Sequence, residues 1–154
     1  MATQTSLLLA LWEEAHTRLE DKLHLITKQD LRKTLSPSPN SLGFLLRHMA
    51  EVELLFAKNV FGAKDTKIIA KTVIAKYDTG EWVDLNALKD IIIRAKSVLK
   101  AIIEKQVDAD WDTVIETKEF GAKTKAQALG RITSHTAYHA GQIGIILKYG
   151  EAKN

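Results

Sequence analysis

Apolar side chains recur at steps of three and four residues in four long segments of the chain. In the first segment, from Ser6 to Ile26, they form one continuous stripe along a helix, and charged side chains mostly occupy the other face. The other three stripes begin at Leu42, Leu85 and Ala128. Four amphipathic helices of this length predict an all-α fold of the four-helix-bundle type.

Capping residues mark where these helices are expected to begin. Asn40 or Ser41 is the expected cap of the second helix, and Asp84 that of the third. Thr124 followed by Gln127 is a capping-box pattern at the start of the fourth helix. The helix ends are expected at Gly62 for the second helix, at Asp108–Asp110 for the third and at Gly150 for the fourth.

The connections between the helices predict the topology of the bundle. A short turn containing Pro37 and Pro39 joins the first two helices, whereas residues 63–83 separate the second from the third. A connection of about twenty residues can cross the length of a bundle. We therefore expect one domain over residues 1–154, an up-down-down-up bundle with a long crossover between helices 2 and 3. The apolar residues expected to pack the crossover down are Ile68, Ile69, Val73, Ile74 and Tyr77.

Composition excludes several functional classes. The chain has 154 residues and 0 cysteines, which excludes disulfides, a thiolate nucleophile and a cysteine zinc site. The net charge is +3, but the basic residues are dispersed and aromatic residues make up only 6 %, so nucleic-acid binding is not expected. No segment is long enough to span a membrane, and none near the N-terminus is typical of a signal peptide. A cytoplasmic location is the expectation.

Two histidines in the fourth helix carry the clearest chemical signal. His135 and His139 are four residues apart, so they project from one face of the helix about one turn apart, and the periodicity makes this the core face. Buried imidazoles need polar partners. A zinc or nickel ion would satisfy both side chains, whereas water molecules or backbone groups are the alternative partners.

His48 is the candidate for a third ligand, because it lies on the edge of the inward stripe of the second helix. Three neutral imidazoles leave coordination positions open, which is typical of catalytic metal sites. Spacing alone leaves open whether His48 meets the other two histidines. We interpret the remaining histidines, His16 and His24, as surface or flanking residues beside the stripe of the first helix.

Two segments resemble a known family. The segment SLGFLLRHMAEVE (residues 41–53) resembles the second helix of the DinB-like (DinB/YfiT) superfamily, and HTAYHAGQI (residues 135–143) resembles the H-x-x-x-H-x-G-Q-I motif of its last helix. The resemblance extends over nearly the whole chain. It implies an up-down-down-up four-helix bundle with a divalent metal at one end, bound by His48, His135 and His139. The metal expected is zinc or nickel, with iron as a further candidate.

The same resemblance implies a range of activities. Some members are thiol S-transferases that use bacillithiol or isomerases that use mycothiol, many have no known activity, and homodimers are frequent. We therefore expect a metal-dependent thiol S-transferase acting on small electrophilic substrates, with a low-molecular-weight thiol as cofactor. The alternatives are a non-catalytic metal-binding or stress-related bundle, a metal-dependent hydrolase, and a structural bundle with core histidines. The sequence assigns no catalytic residue.

Two polar residues lie one helical turn from the histidines. Glu51 follows His48 and is interpreted either as an acceptor that orients this imidazole or as a solvated surface acid. Gln142 follows His139 and is interpreted either as a ligand-contacting amide or as a packing residue. Gly141 and Gly144 are expected to permit close approach of another helix. A di-iron carboxylate site is excluded, because the fourth helix has no Glu-x-x-His motif.

Overall fold

The computed structural model describes residues 1–152, and most of these residues are helical. The helices are α1 (Gln4–Leu23), α2 (Leu42–Asn59), α3 (Lys71–Ala75), α4 (Leu85–Glu104) and α5 (Lys125–Tyr149). The strands are β1 (Lys33–Thr34), β2 (Val114–Thr117), β3 (Gly121–Thr124) and β4 (Glu151–Ala152); β1 pairs with β4, and β2 with β3, both antiparallel. The all-α fold class is confirmed. No helix in this part of the chain has both the length and the apolar character needed to cross a membrane.

The predicted caps hold the starts of the long helices. The side chains of Ser41 and Asp84 accept hydrogen bonds from backbone N–H groups in the first turns of α2 and α4. Thr124 and Gln127 form the reciprocal capping box of α5, and Gly150 follows its last residue. These local signals therefore fix where the helices that carry the histidines begin.

The predicted end of the third helix is wrong. This helix, α4, ends at Glu104, and a separate 3-10 turn covers Asp108–Asp112. The carboxylate of Asp108 instead accepts hydrogen bonds from the backbone N–H groups of Gln4 and Thr5, at 3.1 and 3.0 Å. These N–H groups have no partner within α1, and a carboxylate is stabilised at a helix N-terminus. The acid therefore caps a neighbouring helix rather than ending its own.

Two clusters of buried apolar side chains form the core, one toward each end of the bundle. The first core cluster takes the C-terminal halves of α1 and α5 and the N-terminal halves of α2 and α4, and the second core cluster takes the opposite halves. It follows that α1 and α5 run in one direction and α2 and α4 in the other. Representative members are Leu19, Leu46, Ile92 and Ile143 in the first cluster, and Trp12, Phe56, Leu99 and Ile132 in the second.

The crossover is held to the bundle mainly by residues other than those predicted. Of the predicted residues, Ile68 packs against the first core cluster. The others are exposed, namely Ile69, Val73, Ile74 and Tyr77. Thr72 in α3 is buried instead, as are Ala70 and Trp82 on either side of it. Backbone N–H groups at the start of α3 donate hydrogen bonds to the Glu51 carboxylate of α2. In this orientation of α3 its apolar side chains face outward.

A β-hairpin that the periodicity did not predict joins α4 to α5. Val114 pairs with Thr124, and Thr117 pairs with Gly121, which has a positive φ of 69° at the end of the turn. Each strand has only four residues. Strands this short give too little alternation to be separated from a loop by sequence alone. The tip of this hairpin, residues 117–120, lines a cleft together with His48 and His135.

Glycines in the helices have different roles. No atom outside its own helix backbone lies within 4 Å of a Cβ built on Gly141, and at Gly144 the nearest contact is the flexible end of Lys22 at 3.4 Å. The expectation that these two glycines admit another helix of this chain is therefore wrong for residues 1–152. At Gly43 a Cβ would lie 2.0 Å from the backbone oxygen of Trp82. This glycine lets the crossover contact α2.

The Gly43→Ala variant should be less stable than the wild type, because the added methyl group meets backbone that cannot rotate away. We expect a loss of about 1–3 kcal/mol in the free energy of unfolding, typical of overpacking. Gly130→Ala in α5 is the matched control, since nothing surrounds its Cβ. It should gain about 0.5–1 kcal/mol from helix propensity. Urea unfolding followed by circular dichroism measures the free energy of unfolding of both variants. A Gly43→Ala variant as stable as the wild type would contradict the contact with Trp82.

Candidate metal centre

Three histidines from two helices come together at the middle of the bundle. His48 lies on α2, and His135 and His139 lie one turn apart on α5. Nε2 of His48 is 3.2 Å from Nε2 of His135, and one ring nitrogen from each histidine lies within 4.8 Å of the others. All three side chains are half-buried. The helix packing thus supplies the contact between His48 and the other two that spacing alone left open.

The site lies between the two core clusters rather than at one end of the bundle, where the family resemblance puts the metal. Neighbours of His48 in α2 belong to both clusters, with Met49 in the first and Val52 in the second. In α5, Ile132 belongs to the second cluster and Ala140 to the first, on either side of the histidine pair. The pair faces α2, as the periodicity predicts, and its side chains are half-buried rather than enclosed in the core.

The spacing of the ring nitrogens fits a metal ion. Two Nε2 atoms bound tetrahedrally at a zinc–nitrogen distance of about 2.0–2.1 Å would be about 3.3 Å apart. The observed 3.2 Å between His48 and His135 is close to that value. Nδ1 of His135, on the other side of the ring, is buried and has no hydrogen-bond partner among residues 1–152. The distance between the two Nε2 atoms is the observation that favours a cation at this position.

The environment keeps these imidazoles in the neutral form that binds metals. Burial lowers the pKa of His48 to about 4, and the neighbouring His139 adds to this effect. Burial lowers the pKa of His135 to about 3, with His139 and His48 contributing. Burial also lowers the pKa of His139, although its hydrogen bond to Gln142 acts in the opposite direction. At neutral pH all three side chains therefore present lone pairs.

Glu51 is fully buried, so its interpretation as a solvated surface acid is wrong. Its carboxylate accepts hydrogen bonds from Nε of Arg47 at 2.6 Å and from the backbone N–H groups of Lys71 and Thr72 at 3.1 and 2.9 Å. It also accepts the hydroxyl proton of Thr72. Oγ1 of Thr72 in turn lies 3.2 Å from Nδ1 of His48. Glu51 thus reaches the histidine through the crossover.

Gln142 holds the third histidine. Its Oε1 lies 2.6 Å from Nδ1 of His139. Because an amide oxygen only accepts hydrogen bonds, Nδ1 of His139 is the protonated nitrogen, and Nε2 is left free to bind a ligand. Tyr138, the residue before His139, is exposed, and its ring meets the His139 ring edge-on with the ring centroids 5.2 Å apart.

A cleft of about 600 Å³ opens beside the histidines, with His48 and His135 in its wall. The hairpin tip, residues 117–120, forms the opposite wall. Glu119 in the tip pairs with Arg131 of α5 at 3.1 Å, which fastens the hairpin above the site. The apolar lining comes from both sides of the cleft and comprises Val52, Leu55, Phe56, Val60, Val73 and Phe120. A small molecule with an apolar part fits these walls.

His16 is buried, which corrects its interpretation as a flanking residue. Its Nε2 lies 3.2 Å from a carboxylate oxygen of Glu53, which also accepts a 2.9 Å hydrogen bond from Thr136. Burial alone would lower the pKa of His16, but the hydrogen bond and charge of Glu53 outweigh it and raise that pKa. The signal was present in the sequence, because His16 lies four residues after Trp12 on the same helical stripe.

Comparison with known proteins places the chain in a family. Crystal structures of the mycothiol-dependent maleylpyruvate isomerase and of a point mutant match with TM-scores of 0.68 and 0.65 at 16 % and 15 % identity. Each match covers 94 % of this chain but only 64 % of the isomerase chain, and the likeness concerns the fold. No curated protein sequence matches. A family model described as the DinB superfamily matches residues 11–143, and the chain therefore belongs to the DinB superfamily.

Proposed function

We propose that His48, His135 and His139 bind one divalent metal ion through their Nε2 atoms. The support is the 3.2 Å spacing of the His48 and His135 nitrogens, the neutral state of the three imidazoles, and hydrogen bonds that leave Nε2 of His139 free. An all-imidazole donor set suits zinc or nickel best, with iron as a further candidate. Glu51 and Gln142 orient the ligands and are not ligands themselves.

Two of the three proposed ligands, His48 and His135, line the cleft, and this observation carries the functional proposal. When bound, the ion supplies a Lewis acid that lowers the pKa of a coordinated thiol or water. Around it, Val52, Phe56 and Phe120 give the cleft an apolar lining. The three neutral ligands preserve the full charge of a divalent ion, which favours thiolate binding.

The reaction that fits best is transfer of a low-molecular-weight thiol to a small electrophile. The chain has 0 cysteines, so the sulfur must come from a bound thiol. The sulfur forms a bond to an electrophilic carbon, the leaving group departs with its bonding pair, and the thiol proton passes to solvent. The structural neighbour is a mycothiol-dependent isomerase, which supports thiol use. The family resemblance also supports a homodimer, which light scattering of the purified protein would test. The cytoplasmic location expected from the sequence is part of the proposal.

Metal content tests the proposed centre. Tag-free protein loaded with zinc and desalted should hold one metal ion per chain by mass spectrometry. Both His48→Ala and the double variant His135→Ala/His139→Ala should lose it, because each removes ligands from one of the two helices. His24→Ala is the matched control, since His24 is exposed just after the end of α1, and it should keep the metal. If the wild-type protein held no metal after loading, the histidines would have a structural role instead.

The pH dependence of metal binding tests the lowered pKa values. An imidazole with an ordinary pKa of about 6.5 loses roughly 30-fold in metal affinity at pH 5 through protonation, so three lose roughly 10⁴-fold. A lowered pKa keeps the ligand neutral to lower pH, as for His48 with a pKa of about 4 and His135 with a pKa of about 3. We expect zinc affinity to fall less than about 100-fold between pH 7 and pH 5. A 10⁴-fold fall in zinc affinity, in protein that circular dichroism shows to be still folded at pH 5, would contradict the lowered pKa values.

A thiol probe separates catalytic from purely metal-binding function. Cobalt-substituted protein should show a saturable change in its visible spectrum when 2-mercaptoethanol is added, because the thiolate enters the coordination position facing the cleft. The His24→Ala variant should respond like the wild type. An unchanged spectrum in protein holding one cobalt per chain would exclude thiol binding and favour the non-catalytic or hydrolytic alternatives.

A further inference from the structure

Thr72, a residue of the crossover, contacts one of the proposed metal ligands. Thr72 is buried in α3, 24 positions from His48 in sequence, and its hydroxyl lies between Nδ1 of His48 and the Glu51 carboxylate. This hydroxyl is the contact between the crossover and an imidazole of the proposed centre. Its direction of hydrogen bonding can be worked out from the groups around it.

The proton of the Thr72 hydroxyl must point to Glu51. The Glu51 carboxylate is surrounded by groups that can only donate, namely Nε of Arg47 and the backbone N–H groups of Lys71 and Thr72. These donors stabilise the ionised carboxylate, which has no proton to give. The hydroxyl therefore donates its single proton to Oε2 of Glu51 and offers a lone pair on its other side.

His48 must then donate to Thr72. A lone pair 3.2 Å from Nδ1 makes a hydrogen bond only if Nδ1 carries the proton. In a neutral imidazole this leaves Nε2 unprotonated, and Nε2 is the nitrogen that faces His135 at 3.2 Å. The chain of hydrogen bonds runs from His48 Nδ1 through the Thr72 hydroxyl to Glu51. Such partners fix the tautomer and ring orientation of metal-binding histidines.

We infer that Thr72 is a positioning residue that selects the Nδ1-protonated tautomer of His48 and so presents Nε2 to a divalent metal. The role of Thr72 in metal binding rests on the proposed function, whereas the tautomer of His48 is a property of the metal-free protein. Thr72 also makes the site depend on the crossover, because the hydroxyl is in place only while α3 is bound to Glu51.

Long-range ¹H–¹⁵N correlation spectra of metal-free protein at pH 7 read the tautomer of His48 directly. We expect Nδ1 to be protonated in the wild type and in Thr72→Ser, which keeps the hydroxyl. Thr72→Val, which keeps the shape without the hydroxyl, should shift His48 toward the Nε2-protonated form. Thr5→Val is the matched control, since Thr5 is a buried threonine bound to another carboxylate, Asp108, away from the histidines, and it should leave the His48 tautomer unchanged.

Zinc affinity of the same four proteins is the second readout. Thr72→Val should bind roughly 10- to 100-fold more weakly than the wild type, and Thr72→Ser should restore binding. An Nδ1-protonated His48 in Thr72→Val, with unchanged affinity, would overturn the inference while leaving the metal proposal intact. Wild-type protein that binds no zinc would overturn the metal proposal, and the spectra would still decide whether Thr72 selects the tautomer.

Discussion

The buried carboxylate of Glu51 is the interaction on which the site depends. An ionised carboxylate without partners inside a protein is strongly destabilising, so its surroundings must supply donors. Arg47 provides one within α2, and the backbone of Lys71 and Thr72 provides two more. These bonds fasten the crossover to the middle of α2. The same carboxylate orders the Thr72 hydroxyl beside His48, so one buried charge organises both a long connection and an imidazole.

A second buried carboxylate lies on the other side of the same helix. Glu53 follows Glu51 by two residues, which on an α-helix is a rotation of about 200°. It binds His16 of α1 and Thr136 of α5, whereas Glu51 binds the crossover. Glu53, His16 and Thr136 can meet in only one axial register of α1, α2 and α5. Thr136 directly follows His135, so this register also sets the height of the metal-site histidines.

The sequence predicted most of the helices and part of the site. Caps and periodicity are local, so Asp84 and Thr124 were identified correctly, and the four-residue spacing placed His135 beside His139. The contact with His48, the burial of Glu51 and the hairpin over the cleft depend on how separate segments pack, which spacing along one helix does not contain. His16 is the instructive error: its stripe position was readable, but a polar side chain was assumed to face solvent.

The hairpin between α4 and α5 has a consequence for how binding preferences can change. Its tip, residues 117–120, supplies one wall of the cleft, while the three histidines come from α2 and α5. This wall and the proposed metal ligands therefore come from different segments of the chain. Lys118 and Glu119 are exposed and can change without repacking the helices, whereas Phe120 packs against the second core cluster. Such modularity lets one bundle diversify by drift in a surface loop, and it makes this hairpin the natural graft point for engineering.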